Sequence, residues 1–190
     1  MPVLCLALNT WAGPMSASAQ ARASAAAPRF AEADSLFFAM RPLSALRSLE
    51  AHLEADPDDY EARWRAARAA LTLGVLTDGR ALKGSWLRLS ETFAGQSLAI
   101  RPGDVDAMAL LAAAKGRLAI DIVGVRDQVR LGLEVWELTN RILAIDPSHA
   151  VANDVLGKLH QQVRVLAPSH RVLARAFLRG GDPMKQATWR

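Results

Sequence analysis

Along most of the chain apolar side chains recur at steps of three, four or seven, as in Leu82, Trp86, Leu89, Phe93 and Ile100, and again in Leu131, Val135, Leu138, Ile142 and Ile145. Such steps gather the side chains on one face of a 3.6-residue helix, and the period-two alternation of a half-buried strand is almost absent. The pattern predicts helices near 30–40, 42–55, 59–75, 80–100, 103–123, 126–145, 148–166 and 169–179, with breaks at Asp78-Gly79, Gly124 and Pro168-Ser169. Asp58-Asp59 and Asp104 stand where helices begin, with negative charge at the positive end of the helix dipole, and Ser169 is a candidate cap.

A longer rhythm overlies the helical one. Pro57, Pro102 and Pro147 lie 45 residues apart, each after an apolar-rich ending: Leu53-Glu54-Ala55-Asp56, Leu98-Ala99-Ile100-Arg101 and Leu143-Ala144-Ile145-Asp146. Small residues keep the register, with Ala62, Ala107 and Ala152 five positions on and Ala67, Ala112 and Gly157 ten positions on. Proline cannot continue a helix and biases its predecessor out of the helical region, but it is tolerated in the first turn of the next helix. Each proline therefore marks a helix-to-helix corner, and a repeat of this length signals stacked helical hairpins.

The small residue ten positions after each corner, Ala45 twelve positions before Pro57, and the proline endings resemble the tetratricopeptide repeat, whose unit is about 34 residues. A longer resemblance, over roughly Leu46 to Arg190, is to the tetratricopeptide-like domain of the regulator of microtubule dynamics family, which has bacterial members. It rests on Tyr60-Glu61-Ala62-Arg63-Trp64-Arg65-Ala66-Ala67-Arg68-Ala69, Leu143-Ala144-Ile145-Asp146-Pro147, Val155-Leu156-Gly157-Lys158-Leu159-His160 and Ala174-Arg175-Ala176-Phe177-Leu178-Arg179-Gly180-Gly181-Asp182-Pro183. The resemblance implies an all-α fold: a right-handed superhelical stack of tetratricopeptide-like antiparallel helix pairs. It also implies a further helix and corner beyond Arg190, so the chain reads as truncated at its C-terminus.

The start of the chain departs from this pattern. Val3 to Leu8 is a short apolar run, and Ser16 to Ala21 supplies the small side chains of a signal-peptidase site at Ala19-Gln20-Ala21, although no Lys or Arg precedes the run. Residues 1–21 therefore read as an atypical signal peptide, 22–29 as an Ala/Ser-rich linker and 30–190 as the helical domain of an exported, periplasmic bacterial protein. Cys5 is the single cysteine among 190 residues, which excludes a disulfide framework. Lys plus Arg is 23 and Asp plus Glu is 19, an excess too small to argue for nucleic acid.

Catalytic and metal signatures are absent from the pattern. There is no Gly-x-Ser-x-Gly elbow, phosphate loop, Gly-x-Gly-x-x-Gly run or His-Glu-x-x-His pair. His52, His149, His160 and His170 form no three- or four-residue pair with another histidine or a cysteine, so no zinc site, metal or cofactor is expected. The chain reads as a non-catalytic binder.

In tetratricopeptide proteins the first helix of each pair lines a concave, peptide-binding face. Carrying that pattern over by position directs Trp64, Arg68, Ala109, Ala113, Asp154 and Lys158 toward the groove. Arg68 and Lys158 are candidates to clamp a carboxylate or phosphate beside Trp64, with the alternative that Trp64 is core and the cations a solvated face. The expected partner is a protein or peptide. The second function reading is a carrier or sensor of a lipid or other apolar ligand held between the helices. Near the end of the chain Arg171, Arg175 and Arg179 step by four along one helix face, suited to anionic lipid, a membrane surface or an acidic partner, or else merely solvated.

Overall fold

The computed structural model describes residues 29–165. Two units divide the chain, Met1–Ala31 and Glu32–Arg190, and the described part of the second carries the packing discussed below. Seven helices and no strand occur among the described residues: α1 Ala31–Phe38, α2 Pro42–Ala55, α3 Tyr60–Leu76, α4 Arg80–Ile100, α5 Val105–Asp121, α6 Val125–Ile145 and α7 Ala150–Val165. The protein is therefore all-α, as the periodicity predicts. The expected signal peptide, the Pro168-Ser169 break, the 169–179 helix and the arginine face at 171, 175 and 179 lie outside the described residues.

The corners explain where the helices start. Pro57, Pro102 and Pro147 occupy three turns closed by like backbone bonds: Asp59 N to Asp56 O at 3.3 Å, Asp104 N to Arg101 O at 3.2 Å and His149 N to Asp146 O at 3.1 Å. Asp59 then caps α3 by accepting from the backbone N–H of Glu61 and Ala62, and Asp104 caps α5 by accepting from Asp106 and Ala107. These bonds satisfy donors that a helix start leaves open. At the third corner histidine replaces the aspartate, and the Ala152 N–H lies 3.3 Å from His149 Nδ1. Because turn and cap use up the residues after Pro102 and Pro147, α5 and α7 begin two residues later than the apolar pattern alone predicts.

Each of α2 to α6 packs on the helix that follows it, and α3 also touches α5, as α5 touches α7. Alanine makes these approaches close: Ala62, Ala66, Ala67, Ala69 and Ala70 on α3 and Ala107, Ala112 and Ala114 on α5 are fully buried. At Gly74 a Cβ would stand 2.6 Å from Leu87 Cδ2, so α3 and α4 meet where no side chain fits between them. Ser90 Oγ donates to Ala67 O at 2.9 Å, which satisfies a buried hydroxyl across the same interface. Leu87, Leu118, Ala119 and Leu131 form one core cluster. Met108, Ala109, Ile142 and Ala152 form a second. Of the small residues ten positions after the corners, Ala67 and Ala112 are buried, whereas Gly157 is exposed with nothing within 4 Å of its Cβ position.

Candidate functional site

The most developed polar arrangement sits on α3, whose residues Glu61, Trp64, Arg65 and Arg68 follow helical steps of three and four. Arg65 Nε donates to both oxygens of Asp34 on α1, at 3.0 and 3.2 Å. Arg65 also donates to Glu61 Oε2 at 2.8 Å, and Arg68 donates to Asp34 Oδ1 at 2.6 Å. One carboxylate is thus held by two guanidinium groups through charge-assisted hydrogen bonds, which are stronger than those between neutral groups.

Aromatic rings close the sides of this clamp. The Arg68 guanidinium carbon lies 4.1 Å from the Phe37 ring centre and 4.9 Å from that of Trp64. Arg65 lies 5.5 Å from Trp64. Burial pushes Arg68 below its ordinary pKa, with the bond to Asp34 and its charge opposing that shift. A cation stripped of water gains more from a ring face and a carboxylate than an exposed one does. Trp64 Nε1 and Arg68 Nε are both buried without an acceptor. A neighbouring extension runs through Glu61 Oε1, which accepts from Arg101 at 3.4 Å, while Arg101 covers the Tyr60 ring at 3.9 Å.

The residues singled out from sequence fall into three places. Trp64 and Arg68 come together one turn apart on α3. Asp154 and Lys158 pair with each other on α7 at 2.6 Å, their side chains 57% and 61% exposed. Ala109 is buried with Met108, Ile142 and Ala152, and Ala113 packs on Ala112, Val135 and Val155, so these two alanines serve the helix interfaces. Their small size is what α5 needs to approach α6 and α7. Arg68 holds a carboxylate, as its residue type suggested, but that carboxylate is the chain's own Asp34.

Other groups were not anticipated. His52, Asp56 and Asp59 present three ligand-type atoms within 4.8 Å of one another at the first corner. The signal was the His-x3-Asp-x2-Asp spacing, which a search for histidine and cysteine pairs passes over. His52 Nε2 lies 2.9 Å from Asp59 Oδ2, while Asp59 Oδ1 caps α3, so the cluster ties the end of α2 to the start of α3. Lys115 on α5 bridges Glu91 of α4 at 2.8 Å and Glu134 of α6 at 2.5 Å. Burial alone would lower the Lys115 pKa, but its hydrogen bonds and charge partners outweigh that and raise it. No described helix is long and apolar enough to cross a membrane.

No curated protein matches the chain. The family model described as "Regulator of microtubule dynamics protein 1-3" does match, over residues 29–187. That span takes in every described helix and the segments that carried the resemblance from Tyr60 to Pro183. The chain therefore belongs to the regulator of microtubule dynamics family.

Proposed function

We propose that the protein is a non-catalytic, tetratricopeptide-like scaffold of stacked helix pairs with a 45-residue unit, binding an extended protein or peptide segment along the face formed by α3, α5 and α7. Support for the repeat comes from the helix bounds: α3, α5 and α7 start at Tyr60, Val105 and Ala150, and α4 and α6 start at Arg80 and Val125. The contacts of α3 with α5 and of α5 with α7 suit a layer built from the first helix of each pair. Export to a bacterial periplasm is part of the same proposal, and fractionation of cells producing the full chain checks it.

The observation that carries the binding reading is the clamp on α3, where two arginines stacked beside an indole already hold a carboxylate. Recognition of acidic chain segments uses this chemistry. Peptides selected on the full-length protein are expected to lose about tenfold or more in affinity for the double variant Arg68→Ala, Lys158→Ala, the loss typical of removing an interface anchor. Equal capture by the double variant rejects the reading. Stoichiometric co-purification of a lipid, seen by native mass spectrometry, would favour the carrier reading instead.

A further inference from the structure

We infer that α1 is an internal ligand of the α3 clamp, and that the external partner is a peptide carrying a carboxylate three residues before an aromatic side chain, which binds by displacing α1. The inference rests on the groove reading above and adds the sequence class of the partner and the device that regulates access to it.

Asp34 and Phe37 stand three residues apart, and both engage Arg68: Asp34 through a 2.6 Å hydrogen bond and Phe37 through its ring at 4.1 Å. The remainder of α1 contributes little. The helix has eight residues, Ala33 is the one buried among them, and Phe38 is 73% exposed. Its contacts with the other helices are sparse, whereas α2 to α7 pack on one another extensively. An element with few contacts to its neighbours opens more readily than the extensively packed helices behind it.

The join between α1 and α2 points the same way. Backbone bonds from Met40 N to Phe37 O and from Arg41 N to Leu36 O wrap the end of α1 around Met40. Met40 has φ 58, in the left-handed region where this kind of helix ending normally takes glycine. Met40 is also the one non-glycine residue with positive φ among the described residues. The joint between α1 and α2 is therefore held in a costly conformation, which is relieved if α1 uncoils on leaving the clamp. The buried Nε atoms of Trp64 and Arg68 are two donors that α1 leaves unused, and an external ligand with a further acceptor gains by meeting them.

The test uses the full chain and a synthetic fluorescent peptide with the sequence of residues 29–41. Anisotropy titration compares the native protein with the released variant Asp34→Ala, Phe37→Ala. If α1 occupies the clamp nine-tenths of the time, the released variant binds the peptide about tenfold more tightly. Adding Arg68→Ala to it abolishes the gain, while Arg68→Lys restores part of it, and circular dichroism verifies that each variant is folded. In the isotope-labelled native protein, saturating unlabelled peptide should speed amide exchange of residues 31–38 and leave α4 unchanged.

Affinity equal in the native and released proteins overturns the inference, as does bound peptide with unaltered exchange in α1. If partners selected on the protein depend on Arg68 but leave α1 exchange untouched, the groove reading stands and the internal-ligand inference falls. If no peptide binding depends on Arg68, both fall.

Discussion

Arg68 on α3 and Lys158 on α7 are both cations singled out from the sequence, and they live in opposite surroundings. Arg68 is desolvated, bonded to Asp34 and flanked by Phe37 and Trp64. Lys158 lies in water beside Asp154, four residues earlier on its own helix. Coulomb attraction at similar distances is worth several times more away from solvent, and removing one member of a desolvated set strands the other. The contrast teaches that charge count along a groove says little. The energy follows burial and the presence of a second element, here α1, that excludes water.

The largest effect that tests this contrast is expected at Arg65, 5% exposed and bonded to both Asp34 and Glu61. Arg65→Ala should cost about 3 kcal/mol in a urea melt, within the range for breaking buried ion pairs. Arg68 keeps Asp34 partnered, and Arg101 keeps Glu61 partnered, which holds the cost at the lower end of that range. A loss under about 1 kcal/mol would place the clamp with ordinary surface pairs.

An intermediate case is the Lys115 bridge. For Glu134 burial raises the pKa, but hydrogen bonds and charge from Lys115 and Arg130 outweigh it, so its folded value is depressed. A depressed carboxylate stabilises the fold above its unfolded pKa, and that contribution is lost as pH falls through the folded value. Melting temperature of the native protein should therefore drop more steeply than that of Glu134→Gln below about pH 4.3, the ordinary glutamate pKa. Parallel curves would remove the bridge from the stability account. At the small end, Lys158→Ala should change stability by no more than about 0.5 kcal/mol, the usual worth of an exposed pair at this spacing.

The helices were legible because their causes are local. Apolar spacing, proline corners and aspartate caps lie within a few residues of what they determine, and α2 and α4 run over the ranges the pattern predicts, 42–55 and 80–100. Trp64 and Arg68 were legible as a pair for the same reason, being one turn apart. Asp34 was not, because 34 residues separate it from Arg68, and the pattern that predicts a helix near 30–40 does not say which helix it packs against. Ala109 differs in another way: its position on α5 resembles a groove position, but it is buried with Met108, Ile142 and Ala152, whereas Ala113 stays partly exposed. Exposure depends on neighbours, and a position carried over from a repeat family does not include them.

Carboxylate recognition by the α3 face is the claim on which the functional account depends. The direct measurement is the affinity of the full-length Asp34→Ala, Phe37→Ala protein for the 29–41 peptide against the same peptide with asparagine in place of its second acidic residue. The account predicts about tenfold weaker binding of the asparagine peptide, the cost of leaving the Arg68 guanidinium without a charged acceptor while Arg65 keeps only Glu61. Equal affinity for the two peptides would contradict it.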